Sequence, residues 1–280
     1  MKRLTLGFSP CPNDTFIFHA LVHGLLDVPG IDFEPRLDDV ETLNRLALEG
    51  RLDVTKISFG ALPHLLHDYT LLASGGALGR GCGPLVVARR GLRPADLPRA
   101  RIAIPGRLTT ANLLLRLFDP EAPPGLEMPY DRIMPAVAAG QVDAGVIIHE
   151  SRFTYPAHGL RRVIDLGEWW EGETGHPIPL GAIVARRSLG ADAGAIEAAI
   201  RASVEHALAD PTASADYVRR HAQEMSEEVT RSHIELYVNS FSVDLGPEGR
   251  AAVDELMRRA AGAGLLPRAA MDPLRDSATI

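Results

Sequence analysis

The sequence predicts an α/β protein built as two similar lobes, with a ligand cleft between them. Three observations carry that expectation. Short apolar runs of strand character alternate with helices of 3.6-residue periodicity from the N-terminus to about residue 190. At 280 residues the chain has room for about two domains of ordinary size. One segment is also echoed. Glu49-Gly-Arg-Leu-Asp-Val-Thr-Lys-Ile-Ser and Ala139-Gly-Gln-Val-Asp-Ala-Gly-Val-Ile-Ile each end a helix at glycine, pass a hydrophobic-Asp pair and open a buried strand. Ligands of open α/β sheets bind beyond the carboxyl ends of the strands. The echoed strands, ending at Ser58 and at His149, are therefore expected to face the gap between the lobes.

Taken in order, Lys2–Phe8 reads as a strand that the prolines of Ser9-Pro-Cys-Pro-Asn-Asp interrupt. Asn13 or Asp14 can cap the helix that follows, whose apolar positions Phe16, Ile17, Ala20, Leu21 and Leu25 fit helical spacing. Ile31–Arg36 is a strand, Asp39–Gly50 a helix closed by glycine, Val54–Ser58 a strand and Ala61–His67 a short helix. Strands near Thr70–Ser74 and Pro84–Arg89 follow. The glycine-rich Gly75-Gly-Ala-Leu-Gly-Arg-Gly-Cys-Gly between them fits a flexible crossing between lobes; it has neither the Rossmann nor the P-loop spacing. Arg101–Ile104, Ala144–Ile148, Arg161–Leu166 and Leu180–Arg186 are further strands, with helices at Thr109–Phe118 and Ile133–Gly140. After Gly190 come four helices, Ala193–Ala209, Thr212–Ala222, Glu227–Ser240 and Glu248–Gly262. Asp210-Pro211 gives one a cap and a first-turn proline, and Ser226 caps another. Residues 1–88 with about 190–280 are expected to form the first lobe, and 89–189 the second.

Composition narrows the function. With 46% hydrophobic and 23% charged residues the chain is of ordinary globular type. Two cysteines, Cys11 and Cys82, give no disulfide framework and support no structural zinc site. A net charge of −7 argues against general nucleic-acid binding. No run is long enough to span a bilayer, and the N-terminus lacks a signal h-region, so a cytoplasmic protein is expected. Of 29 basic residues only Lys2 and Lys56 are lysines, a hint that Lys56 needs a compact ammonium.

Several residues could carry chemistry, each with a plainer alternative. His149 at a strand end could act as a base near neutral pH, or be a structural histidine hydrogen-bonded there. Lys56 and Ser58 offer a point charge and a hydroxyl for a carboxylate or polyol, or a solvated edge. The helix start at Gly106-Arg-Leu-Thr-Thr-Ala is a ready anion site, or is simply capped by Thr109. His19 and His23, four apart on one helix face, lack a third ligand and fit packing better than metal binding. Glu150 could orient His149 or face away from it. Cys11 reads as packed against the cleft floor, and Trp169-Trp170 as lobe packing.

Longer motifs then converge. Phe8-Ser-Pro-Cys-Pro-Asn-Asp-Thr-Phe-Ile-Phe, Asp39-Val-Glu-Thr-Leu-Asn, Ser74-Gly-Gly-Ala-Leu-Gly-Arg-Gly and Ile147-Ile-His-Glu-Ser-Arg-Phe-Thr-Tyr resemble the 1,4-dihydroxy-6-naphthoate synthases of the futalosine route to menaquinone. The resemblance runs from about Leu4 to the helix containing Val238-Asn-Ser-Phe-Ser. It implies a two-lobed periplasmic-binding-protein-like fold of type II, each lobe a mixed sheet flanked by helices. It implies a cofactor-independent lyase that converts cyclic dehypoxanthinyl futalosine, a small-molecule carboxylate, without metal. It also implies a catalytic base at His149 and substrate contacts at Lys56, Ile57 and Ser58 in one lobe and Thr110 and Ala111 in the other. Two other functions suit the same fold: a non-catalytic cytoplasmic solute-binding or sensor module, and the related dehydratase that acts on chorismate.

Overall fold

The structure, a computed structural model, describes residues 1–89, 91–222 and 226–266. In chain order its elements are β1 (Lys2–Phe8), α1 (Pro12–Val22), β2 (Ile31–Leu37), α2 (Val40–Leu48), β3 (Val54–Ser58), α3 (Leu62–Leu65), β4 (Tyr69–Gly79) and β5 (Leu85–Ala88). Then follow β6 (Ile102–Ile104), α4 (Thr110–Phe118), β7 (Leu126–Glu127), α5 (Tyr130–Ala138), β8 (Ala144–Ile147), α6 (Ser151–Thr154), β9 (Arg161–Asp165), α7 (Leu166–Thr174) and β10 (Ile178–Arg186). The last elements are α8 (Asp192–Ala209), α9 (Ala215–His221), α10 (Glu227–Tyr237), α11 (Ser240–Val243) and α12 (Gly246–Gly262).

The strands form two five-stranded sheets, ordered β2-β1-β3-β10-β4 and β7-β6-β8-β5-β9. In the first, β1 runs parallel to β2 and β3, while β10 is antiparallel to β3 and β4. In the second, β6 runs parallel to β7 and β8, while β5 is antiparallel to β8 and β9. The two mixed sheets are one diagram drawn twice. The echoed segments occupy equivalent places in it, and their aspartates do the same work. Asp53 accepts the backbone N–H of Thr5 on β1 at 2.9 Å, and Asp143 accepts that of Arg101, just before β6, at 2.8 Å. Gly50 and Gly140, in the left-handed region at φ 64° and 73°, end the preceding helices.

The lobe boundaries differ from the expected ones. β5, expected in the first lobe, hydrogen-bonds into the second sheet, and β10, expected in the second, lies inside the first. A short apolar run records burial and says nothing of which sheet buries it. Much of the glycine-rich segment is not a free crossing either. Gly75–Gly79 complete β4, and Ala77, Leu78 and Gly79 pair with β10, with two register shifts along the pairing of β4 and β10. A Cβ on Gly75, whose φ is +82°, would meet Ile183 at 2.6 Å, so glycine is required at that bulge. Among the described residues the chain crosses between the sheets over residues 80–84 and 175–177. Beside these crossings a Cβ on Gly83 would lie 2.3 Å from the Cα of Gly167, so the two backbones touch.

Other differences are local. Cys11, followed by Pro12, is the N-cap of α1, with no side-chain cap bond; Asp14 lies in the first turn and reaches back to Ser9. Asp210 closes a turn onto Thr212, so α9 starts only at Ala215. The helix expected over Glu227–Ser240 breaks at Val238, and Asn239 caps a separate α11. α7 was not anticipated; its Trp170 is fully buried and donates its indole N–H to the Pro177 carbonyl.

One apolar cluster runs through both lobes, joining Ile57 and Val184 to Val86, Ile104, Val146, Trp170 and Leu256. Others lie under the first sheet, around Leu6, Phe18 and Ile200, and within the second lobe, around Ile133 and Val137. α8 and α11 pack on the first-lobe side, while α12 touches both β10 and α4 and so braces the lobes together. No helix among the described residues is long and apolar enough to cross a membrane.

Candidate active site

A cavity lies between the lobes, where the carboxyl ends of β1, β3 and β8 meet the start of α4. Lys56, Ser58, Thr110, Ala111 and His149 all line it. Ile57 does not. Successive side chains on a strand point to opposite faces, so Ile57 turns away between its neighbours and is buried in the core at 0% exposure.

The first-lobe wall centres on a buried ion pair. The Lys56 ammonium lies 2.7 Å from Asp14 Oδ1, with side-chain exposures of 6% and 2%. Removing two charges from water is costly unless further hydrogen bonds satisfy them. Asp14 accepts from the Ser9 hydroxyl at 2.6 Å, the Ser9 N–H at 3.1 Å and the Asn13 amide at 2.8 Å. Lys56 is therefore no bare cation; it presents a neutralised pair to the cavity. Ser58 Oγ accepts from the Asn44 amide at 3.2 Å, while the Ser58 N–H donates to the same side chain at 2.8 Å. The Ser58 hydroxyl proton is left to donate into the cavity.

From the second lobe comes His149, immediately beyond β8. It has φ 55° and is the only non-glycine residue with positive φ among the described residues. A left-handed backbone at a non-glycine residue stores about 1–2 kcal/mol. Here the turn swings the imidazole into the cavity. Burial pushes its pKa down, and Lys56 adds to that, against the opposing pull of the Glu150, Asp14 and Asp39 carboxylates. The ring is thus neutral near pH 7, able to accept a proton. Tyr130 meets it edge-on, with centroids 5.4 Å apart.

The start of α4 is capped as expected, Thr109 Oγ1 accepting from the Asn112 N–H at 3.2 Å. The Thr110 hydroxyl, however, is already engaged across the cleft. It donates to the Leu180 carbonyl at 2.7 Å and accepts from the Gly60 N–H at 3.1 Å, both first-lobe groups. What α4 can offer a ligand is its first-turn N–H groups, at Thr110 and Ala111, together with the positive end of its dipole.

The cavity also has walls that sequence reasoning did not assign to it: Ser9, Asn13, Asp14, Val40, Ala77, Cys82, Leu180, Gly181 and Tyr237. Asn13 and Asp14 have a visible signal, two polar residues beside a proline pair, but in sequence that pattern reads equally as helix capping. Tyr237 had none, because its helix is remote in sequence. Burial raises the pKa of the Tyr237 hydroxyl and pushes the Cys82 thiol up to about 12, so neither is ionised near neutrality. Cys11 is buried and its thiol is likewise raised. His19 and His23 lie away from the cavity, against Tyr217. Among the described residues no group of three or more His, Cys, Asp or Glu side chains could hold a metal ion.

Comparison with known proteins agrees with this architecture. Residues 4–262 match the family model described as menaquinone biosynthesis. The chain is 57% identical to the 1,4-dihydroxy-6-naphtoate synthase of Thermus thermophilus over 95% of its own length and 96% of the relative's. It is 51% identical to the enzyme of the same name from Streptomyces coelicolor, covering 97% of both. Among solved structures, the alkanesulfonate-binding protein SsuA of Xanthomonas axonopodis pv. citri superposes with a TM-score of 0.72 at 18% identity, covering 97% of both chains. That likeness concerns the fold, which is that of the periplasmic binding proteins. The interlobe cavity thus sits in an enzyme of menaquinone biosynthesis, and the chain belongs to the 1,4-dihydroxy-6-naphthoate synthase family.

Proposed function

We propose that the protein is a lyase that converts cyclic dehypoxanthinyl futalosine to 1,4-dihydroxy-6-naphthoate, using His149 as general base and no cofactor, in the cytoplasm. The observation that carries this reading is a neutral imidazole held by one lobe over the polar wall of the other. His149 removes a proton activated by the substrate ketone. The bond to the sugar-derived carbons then breaks, and aromatisation draws the reaction forward. The first-turn N–H groups of Thr110 and Ala111 hold the substrate carboxylate. The oxygen-rich portion lies against Ser58 and the Asp14–Lys56 pair. Because Lys56 is matched by Asp14, it serves as a hydrogen-bond donor to a hydroxyl rather than as the carboxylate's counter-ion. Lobe closure excludes water and sets the reacting geometry.

Purified protein incubated with cyclic dehypoxanthinyl futalosine should release the naphthoate, detected by mass, and should leave chorismate unchanged. His149→Asn should lower kcat by at least the ~10²–10⁴-fold typical of a general base, with ligand affinity largely kept. Full turnover in that variant would refute the base; binding without turnover in the wild type would make the protein a solute binder.

A further inference from the structure

His233 has no role in the reaction outlined above, yet it is the most enclosed ionisable neighbour of the base. It projects from α10, among the C-terminal helices, and its exposure is 0%. Its ring lies nearly parallel to that of His149, at an interplanar angle of 26° with centroids 6.2 Å apart. His149 thus has an aromatic neighbour from its own lobe, Tyr130, and an imidazole neighbour from the other.

Hydrogen bonding fixes which nitrogen of His233 carries the proton. Asn13 donates its amide N–H to Asp14 at 2.8 Å, so its oxygen is the end presented to His233 Nε2, 3.0 Å away. Nε2 must therefore donate, and Nδ1 holds a lone pair. That Nδ1 is buried, with no hydrogen-bond partner among the described residues. A carboxylate in place of the Asn13 amide would stabilise an imidazolium; the amide instead separates His233 from the charge of Asp14.

We propose that His233 is a positioning residue for the His149 base: a neutral imidazole, locked as the Nε2–H tautomer by Asn13, that seats the His149 ring when the lobes meet. This rests on the reading of His149 as the base. The surroundings of the two rings support a division of labour. Facing His149 are Glu150 at the start of α6, Asp14 on α1, Asp39 at the cap of α2, Lys56 on β3 and Tyr130 on α5. Among the described residues, those facing His233 are Asn13 from α1, Tyr237 on its own helix, and His149. Burial drives His233 well below the ordinary imidazole range, and His149 lowers it further. Among the described residues, carboxylates act on the ring that must accept a proton and not on the ring that must not.

Nitrogen NMR of the wild-type protein, labelled at histidine, tests the tautomer without any variant. His233 should remain a neutral Nε2–H imidazole from about pH 5.5 to about pH 8, while His149 titrates below its ordinary value. In His233→Ala, kcat should fall about tenfold or more with KM within about threefold. The His149 titration, and with it the acid limb of the rate profile, should then move up towards the ordinary imidazole value as water enters. His233→Phe, which keeps a flat ring but no Nε2–H, should recover a large part of the lost kcat, and it serves if the alanine variant does not fold. An Nδ1–H tautomer, a His233 titration near the ordinary value, or a folded His233→Ala with kcat within about twofold of wild type would each overturn the proposal. So would a phenylalanine variant as slow as the alanine one. A wild-type protein inactive on the naphthoate precursor would defeat the functional reading instead, leaving the NMR result to decide the tautomer and the stacking separately.

Discussion

Lys56 and Asp14 form the most consequential pair in the cavity, because each is tolerable in the interior only with the other. Lys56→Ala leaves a buried carboxylate with hydroxyl and amide partners but no counter-charge. Loss of one member of such a pair costs about 3–5 kcal/mol, which should appear as a lower urea midpoint. Adding Asp14→Asn should return part of that stability while activity stays low. At His149 the backbone argues for a second comparison. Asparagine tolerates the left-handed region better than alanine does, so His149→Asn should melt at or above the temperature of His149→Ala although both are inactive. Glu150 raises the His149 pKa; Glu150→Gln should therefore shift the acid limb of kcat/KM to lower pH, measured with buffers of constant ionic strength. The scarcity of lysine marks Lys56 as unusual in the sequence, but nothing there reveals Asp14 as its partner. That pairing depends on α1 turning its first residues back over β1, a tertiary fact. The inward turn of His149 is equally invisible, since an apolar strand followed by histidine has the same letters whatever φ the histidine adopts.

The start of α4 works as a fastening between lobes as much as a ligand cradle. Thr110 ties it to Gly60 and Leu180, and Glu41 on α2 accepts the Leu108 N–H at 3.2 Å. Gly60 and Gly106 permit this closeness; a Cβ on Gly60 would lie 2.7 Å from the Leu108 carbonyl oxygen, and one on Gly106 2.4 Å from the Glu41 carboxylate. Thr110→Val keeps the shape and removes the hydroxyl, stranding one donor and one acceptor across the cleft. At about 1–3 kcal/mol for the unpaired groups, substrate affinity should fall about tenfold with kcat less affected. Titration calorimetry would measure the affinity, and X-ray scattering should show a more open apo form. Helix and strand identities were largely readable from periodicity and capping, as at α2, closed by Gly50, and α10, capped by Ser226. Sheet membership was not, and β5 and β10 show why: antiparallel insertion into a distant sheet leaves no local trace.

The two-lobed plan was legible because an aspartate between a terminating glycine and a buried strand recurs with the same job in each half. Less legible was the set of histidines on the outside of the first lobe. Burial lowers the pKa of His19, with His23, His206 and Arg220 adding to it; His221 is lowered by burial, Arg220 and His23. A base harder to protonate in the fold than in the unfolded chain makes the unfolded state bind more protons, so stability rises with pH. Their contribution is whole above the ordinary imidazole value and is lost as pH falls below it. The melting temperature should drop on acidification through about pH 6.5, and His19→Gln should flatten that slope. The exchange of β5 and β10 has a further consequence for biosynthesis. Every strand of the second sheet has been translated once residue 165 is made, whereas β4 cannot join the first sheet until β10 has been translated. On the ribosome the later-numbered half can thus close first, while the N-terminal strands wait with an unfilled slot for a partner roughly a hundred codons downstream.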